Sequence, residues 1–220
     1  HSFRIPRPDL SVTLGTPNAC NVCHTDKSPQ WAATRVQDWY GHVPQGLQNW
    51  AGTLAATRSG DPLAGESLLQ LIRDSGTPAI ARATALSQVG PYLDAQSLDV
   101  LTQGLWDDVS GVWAATMSML EQLPAGLRVQ LAFPFLEDDV RAVRIEAARV
   151  LATVPAGDLD DRQRLLLEQG IEEFIASQLA SAERPEAQTN LGNLYTQRGE
   201  CQQAEHAYRK AIELNPAYTP

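Results

Sequence analysis

The sequence predicts an all-α protein that is built largely from repeated helical units. Alanine, leucine and glutamine are frequent and runs of β-branched residues are scarce, which favours helices over strands. In addition, segments of residues 61–157 align with one another at a period of 31 residues, as expected of helical repeats. With 220 residues, 43% of them hydrophobic, the chain is long enough to bury a sizeable core.

Three regions follow one another along the predicted fold. The first covers residues 1–60, where residues 1–19 are rich in proline and turn formers and are expected to be loop or extended chain. Its clearest helix should run from Pro29 to Tyr40 and end at Gly41. Residues 61–157 hold the repeat, and residues 158–220 form a further helical region.

The repeat combines a short helix, a tight acidic turn and a longer helix. One position of the longer helix holds Arg82, Trp113 and Arg144 in successive segments. The acidic turns are Asp107–Val109 and Asp138–Val140, and we expect their carboxylates to cap the helix that follows. A single unit cannot bury its apolar face alone, so neighbouring units should stack. Residues 143–151 resemble the inner helix of HEAT-like repeats.

The C-terminal region resembles one tetratricopeptide repeat, a helix pair of about 34 residues. Gly192 should permit close helix contact, and Tyr195 and Tyr208 should fill the groove between helices. Gln188 stands at a position where tryptophan is common in that repeat. The matching positions are Leu191, Gly192, Tyr195, Gly199, Ala204, Tyr208, Ala211 and Pro216.

The most specific chemical signal is the run Cys20-Asn21-Val22-Cys23-His24. This C-x-x-C-H spacing is the attachment signature of c-type haem. Two thiols three residues apart on one helical turn each form a thioether with a haem vinyl group, and His24 then serves as the proximal iron ligand. Thr16 and Pro17 are expected to start this turn as its N-cap and first helical residue. A zinc site, a thioredoxin-like thiol pair and chance occurrence remain open as alternatives.

The distal iron ligand decides between electron transfer and substrate chemistry, since a second strong ligand closes the iron. His1 is the first candidate, because it lies on an arm that could cross the haem face, and His42 is the second. A free amino-terminal His1 could alternatively hold copper. Met117 and Met119 fit an apolar core better than an iron site.

Four other residues receive structural or solvent-exposed assignments from the pattern. His206 is expected to be solvated on the second helix of the tetratricopeptide unit. Core packing is expected for Trp106 and Trp113. Cys201 is expected to act as a small apolar side chain on a packed helix.

A block made of residues 1–9, 15–24, 31–32 and 39–41 resembles periplasmic multihaem c-type cytochromes of the cytochrome c554-like kind. Such proteins combine a haem region with HEAT-like and tetratricopeptide repeats. The resemblance implies that His1 is a distal ligand, either of this haem or of one bound by other sequence, and that the protein works in the bacterial periplasm or at the cell surface. It also implies further haems, held by upstream sequence or a neighbouring chain of a longer multihaem protein. This chain itself contains one C-x-x-C-H motif and therefore one haem c.

The formal charge of −9 excludes nucleic acid as an expected partner, because an acidic chain repels phosphate backbones. A basic redox protein would instead be attracted. No apolar run approaches the ~18 residues of a membrane helix.

The predicted architecture is thus a haem-binding segment followed by a helical-repeat (HEAT-like and tetratricopeptide) solenoid, and the predicted function is electron transfer on a docking scaffold. Two alternatives remain. One is a haem enzyme, a nitrogen-oxide reductase or peroxidase, for which Arg4, Arg7 and Arg35 are the nearest arginines. The other is an interaction scaffold without a redox role.

Overall fold

The computed structural model describes residues 6–44 and 48–217, and the regular secondary structure of these residues is entirely helical. The predicted all-α fold class is therefore confirmed. The chain divides into two compact units, with the boundary between residues 97 and 98. This boundary falls inside the predicted repeat region, and the predicted limits at residues 60 and 157 stay predictions. No described helix is both long enough and apolar enough to cross a membrane.

The first unit has a core of leucine, alanine and valine side chains, among which Leu68, Leu86 and Val89 are fully buried. A short 3-10 turn, Gly90–Tyr92, follows its last described helix. The helices of this unit are α1 (Pro8–Leu14), α2 (Ala19–Cys23), α3 (Pro29–Tyr40), α4 (Ala51–Arg58), α5 (Ala64–Arg73) and α6 (Ala79–Leu86).

The second unit buries both methionines of the chain, so the predicted core role of Met117 and Met119 is confirmed. Short 3-10 turns at Phe133–Glu137 and Ala156–Asp158 connect some of its helices. The helices are α7 (Asp99–Leu105), α8 (Ser110–Leu120), α9 (Ala125–Ala132), α10 (Arg141–Leu151), α11 (Asp161–Leu179), α12 (Pro185–Gln197) and α13 (Cys201–Leu214).

The 31-residue period is confirmed by where helices begin. The second helices of the three repeat segments, α6, α8 and α10, begin at Ala79, Ser110 and Arg141, each 31 residues after the one before. The expected order of a short helix and then a longer one is wrong for the first segment, where α5 has 10 residues and α6 has 8. A side-chain hydrogen bond recurs with the same register. Arg82 Nε donates to the carbonyl of Thr77, and Arg144 Nη1 donates to the carbonyl of Asp139, both at 3.2 Å.

The acidic turns differ in detail from the prediction. Asp107 Oδ1 accepts from the backbone N–H of Val109 at 2.9 Å, and Asp138 Oδ1 accepts from Val140 at 2.7 Å. Val109 and Val140 are the residues immediately before α8 and α10. Each aspartate therefore closes an Asx turn that leads into the helix, and the expected direct capping of helical N–H groups is wrong.

The expected loop over residues 1–19 is wrong where α1 forms. Pro8 occupies the first helical position, where its missing N–H is not needed, and Asp9 lies in the first turn, where a carboxylate opposes the helix dipole. Gly15 ends the helix in the left-handed conformation, with φ of 70°, and donates to Ser11 O. Pro8 and Gly15, which are typical turn formers, therefore mark the start and the end of a short helix.

Of the three remaining core assignments, those of Trp106 and Cys201 need correction. Trp106 is 75% exposed, because it follows the last turn of α7, where the chain leaves the helix. Trp113 is half-buried on α8. Cys201 is exposed at the first position of α13, where its thiol lies 3.6 Å from the carbonyl of Gly199, so it is not a packed core residue.

Candidate functional site

The turn that carries the C-x-x-C-H motif starts from an asparagine. Asn18 is the N-cap of α2, and its Oδ1 accepts from the backbone N–H of Asn21 at 3.2 Å. Its Nδ2 donates to Ser11 Oγ at 2.9 Å and to Asn21 Oδ1 at 2.8 Å. The expected start at Thr16 and Pro17 is therefore wrong by two residues, because the Asn18 side chain both caps α2 and bonds to Ser11 on α1.

Asn21 closes the other side of the turn. Its Nδ2 donates to the carbonyl of Lys27 at 2.8 Å and lies 3.4 Å from the carbonyl of His24. The backbone N–H of His24 donates to Cys20 O at 2.9 Å, and that of Lys27 donates to His24 O at 3.1 Å. A side chain inside the motif therefore fixes the backbone on which His24 stands.

The two thiols and the imidazole are all accessible. Cys20 is half-buried and Cys23 is exposed, and neither forms a disulfide. His24 is exposed, and its ring lies 5.0 Å from the indole of Trp31 at an interplanar angle of 56°. Trp31 is placed there by the start of α3, where Ser28 Oγ accepts from its backbone N–H at 3.2 Å. The predicted helix from Pro29 to Tyr40, ended by Gly41, is confirmed.

Apolar side chains lie within and beside the motif. Val22, between the two cysteines, is 73% exposed, and the indole of Trp31 lies against the His24 ring. The exposed side chains of Trp39, Tyr40 and Val43 lie at or beyond the far end of α3, about 12 Å or more along the axis from Trp31 at 1.5 Å per residue. Two reachable thiols, a solvent-facing imidazole and apolar neighbours are what covalent haem attachment requires of the chain.

No three His, Cys, Asp or Glu side chains converge on a metal-sized site anywhere in the described part of the chain. Cys20, Cys23 and His24 are included in that statement. They do not form a zinc-type ligand cluster in this structure.

The distal-ligand candidates are not brought to His24. His1 lies outside the described residues. His42 is exposed beyond the C-terminal end of α3, and its Nδ1 is 2.9 Å from Val43 O. Trp31, which contacts His24, is near the opposite end of α3, about 14 Å away along the axis at 1.5 Å per residue. Both assignments stay predictions. His206 is exposed on α13, as expected.

An ion pair anchors the start of α1. Arg7 Nη2 donates to Asp9 Oδ2 at 2.6 Å, and both side chains are largely buried. The hydrogen bond from Arg7 holds the pKa of Asp9 below its ordinary value, against the opposing effect of burial. Arg7 is thus a structural residue. Arg35 forms an ion pair with Asp38 at 3.1 Å, and Arg4 lies outside the described residues.

Helices α12 and α13 form a closely packed pair at the C-terminal end. A Cβ on Gly192 would lie 2.5 Å from the Tyr208 ring, so the glycine permits the contact, as predicted. Ala204 and Ala211 are buried between the helices. Gln188, at the position where tryptophan is common, is buried and donates to Ala182 O at 2.9 Å.

A groove of about 510 Å³ runs between the end of α11 and this helix pair. Leu179, Leu191 and Tyr195 form part of its apolar wall, and His206 and Lys210 bring nitrogen atoms to it. The tetratricopeptide spacing did not predict this open groove, because that spacing specifies the contact between α12 and α13 and not the surface beside them.

Comparison with known families identifies part of this region. The profile of the tetratricopeptide repeat matches residues 185–218, which cover α12 and α13. Searches of curated proteins and of solved structures gave no significant match. The chain therefore contains one tetratricopeptide repeat, at the C-terminal end of an all-helical fold.

Proposed function

We propose that this chain is a protein-binding scaffold that presents a covalently attached c-type haem for electron transfer. The tetratricopeptide match at residues 185–218 supports the scaffold role, because such repeats mediate protein–protein interactions. The haem role is supported by one observation above all. The Cys20–His24 turn is held rigid from inside by Asn21 while its thiols and imidazole face outward.

In this proposal each residue of the turn has a distinct task. The thiols of Cys20 and Cys23 add across the two vinyl groups: each S–H bond breaks, sulfur bonds to one vinyl carbon and the proton goes to the other, so no oxidant is needed. His24 offers its ring nitrogen as the proximal ligand, and Trp31 limits the tilt of that ring. Bound haem would supply a one-electron couple.

The remaining expectations belong to the same proposal. His1, or else His42, is proposed as the distal ligand that keeps substrates from the iron. The net charge of −9 favours a cationic redox protein as partner. If haem is attached to C-x-x-C-H, the protein is expected in the bacterial periplasm or at the cell surface. The resemblance to multihaem cytochromes implies that the functional protein holds further haems.

A second candidate is a scaffold without a redox role, and the tetratricopeptide match favours it directly. Under this alternative the thiols of Cys20 and Cys23 are incidental to function. Removing both thiols then leaves partner binding and activity intact.

Expression together with haem-attachment machinery tests the haem role. We expect haem to stay with the polypeptide on a denaturing gel, with a mass increase of one haem. Cys20→Ser with Cys23→Ser should lose it, and Cys201→Ser, a matched exposed thiol, should retain it. An unmodified wild-type chain would remove the redox proposal. Spectra of reduced protein with and without carbon monoxide then distinguish a closed iron from an open one.

Site-specific photo-crosslinking tests the scaffold role independently. A photoreactive residue at position 206, in the groove, should give a discrete cross-linked product in cells. The same residue at position 165 on α11, where Leu165 is 60% exposed away from the groove, should not. Equal labelling at both positions, or none at either, would contradict partner binding by the tetratricopeptide unit.

A further inference from the structure

The acidic end of the repeat in the second unit exposes apolar side chains. Trp106 is 75% exposed, and Val140, before α10, is 57% exposed. Val109, at the equivalent position before α8, is 43% exposed. Because α8 and α10 pack against each other and begin at equivalent repeat positions, these residues lie at the same end of the helix layer.

An aromatic cluster supports this surface from below. The ring of Trp106 lies 5.7 Å from that of Phe135, and the ring of Trp113 lies 6.3 Å from that of Phe135. Phe135 itself is only 7% exposed. The indole of Trp106 is therefore held by a buried ring while most of its own surface faces solvent.

Two exposed carboxylates lie at this same end of the helix layer. Asp108 immediately precedes Val109 and Asp139 immediately precedes Val140, the residues before α8 and α10. Within residues 6–44 and 48–217, neither of these two side chains takes part in an ion pair of 4 Å or less. Arg144 lies near the second turn, but its guanidinium binds the carboxylate of Glu173 and backbone carbonyls.

One position of the repeat differs in residue type between its segments and adds an aromatic ring to this cluster. Trp113 occupies the position at which the segments before and after have Arg82 and Arg144. Those arginines donate to the acidic or polar turn beside them, at Thr77 and Asp139 respectively. In the middle segment the position contributes an aromatic ring and no positive charge.

We propose that Trp106, Val109, Val140, Asp108 and Asp139, together the Trp106 surface, bind an arginine-rich segment of a partner protein. Among side chains, an exposed indole is the best surface for a guanidinium to stack on. The carboxylates of Asp108 and Asp139, at the same end of the helix layer, accept hydrogen bonds from the guanidinium N–H groups. The net charge of −9 favours approach of a cationic segment. This inference rests on the proposed scaffold role and names the chemistry of one partner site.

Titration with a defined peptide tests the inference. The probe is an acetylated, amidated heptapeptide, Gly-Arg-Ala-Arg-Ala-Arg-Gly, and its control replaces each arginine by neutral citrulline; binding is measured by microscale thermophoresis at low salt. Trp106→Ala should weaken binding about two- to fivefold through loss of the cation–π contact. Asp108→Asn combined with Asp139→Asn should weaken it about two- to tenfold.

Matched variants separate this surface from general charge. Trp39→Ala removes an equally exposed indole in the first unit and should leave binding unchanged. Glu172→Gln with Glu183→Gln removes the same two charges at exposed positions on and after α11. If that pair weakens binding as much as the aspartate pair does, net charge alone is responsible and the inference is wrong.

Three other outcomes would also overturn it: no binding of the arginine peptide, equal binding of the citrulline peptide, or unchanged binding by Trp106→Ala. Sedimentation of the peptide-free protein tests whether a second copy of the chain occupies this surface. A dimer that Trp106→Ala converts to a monomer would assign the surface to that second copy. Cross-linking at position 206 and haem retention are measured separately. A failed titration with intact cross-links therefore contradicts this surface and not the scaffold role.

Discussion

Gly192→Ala is the sharpest test of the packing that forms the tetratricopeptide unit. The added Cβ would lie 2.5 Å from Cε1 and 2.6 Å from Cδ1 of Tyr208, whereas carbon atoms in contact are about 3.5–4.0 Å apart. The ring must therefore retreat by about 1 Å or more. Its hydroxyl donates to Asn193 Oδ1 at 2.8 Å, a bond that such a movement breaks.

The expected magnitude follows from three contributions. Overpacking costs about 1–3 kcal/mol. Loss of the tyrosine hydrogen bond costs about 1 kcal/mol. Replacing glycine by alanine within a helix returns about 1 kcal/mol. The free energy of unfolding should therefore fall by about 1–3 kcal/mol in total.

Urea unfolding followed by far-UV circular dichroism measures this change, with hydrogen exchange of α12 and α13 to locate it. Gly111→Ala is the matched control, because a Cβ there meets nothing within 4 Å on α8, and it should stabilise by up to about 1 kcal/mol. In a Tyr208→Ala background, Gly192→Ala should also become stabilising. If the two glycine substitutions behave alike in the presence of Tyr208, the close contact does not determine the packing.

Three further predictions concern other parts of the structure. Asn21→Ala should speed hydrogen exchange around His24 about fivefold, since each lost hydrogen bond contributes about 1 kcal/mol; unchanged exchange would contradict the bracing role. Because Arg7 lowers the pKa of Asp9, the stabilisation by Asp9 is present above its ordinary pKa of about 3.9 and is lost as the pH falls through the lowered value. In the Asp9→Asn variant, the midpoint of urea unfolding should accordingly fall less steeply than in the wild type as the pH is lowered. Arg144→Leu should lower the melting temperature by removing the ion pair between α10 and α11, and by less in high salt, as scanning calorimetry would show.

The parts of the fold that could be predicted are those in which a residue type recurs at a fixed spacing. The 31-residue period correctly placed the starts of α8 and α10, because small and apolar residues must return to the same face in every unit. Gly192 and Tyr208 were predictable for the same reason. Each position of a tetratricopeptide pair has one steric role, which the residue type reveals.

The choices that failed depend on contacts between residues distant in sequence. Thr16 and Asn18 are both competent N-caps, and Asn18 is used because its amide also reaches Ser11 on α1. Trp106 is a large apolar residue of the kind that cores contain. Among the described residues, its one ring contact is with Phe135, nearly 30 residues later in the sequence. Local pattern cannot reveal a partner that tertiary packing supplies.

The two variable positions of the C-x-x-C-H motif are not equivalent in this chain. The Asn21 side chain turns inward and binds backbone carbonyls of Lys27 and His24, whereas Val22 is 73% exposed and has no structural task of its own. Under the proposed function the exposure is explained, because Val22 lies between the two thiols and would be covered by the group they attach. The same reasoning makes Val22→Ser neutral for the unattached chain and unfavourable for the loaded one, as thermal unfolding of both forms would show.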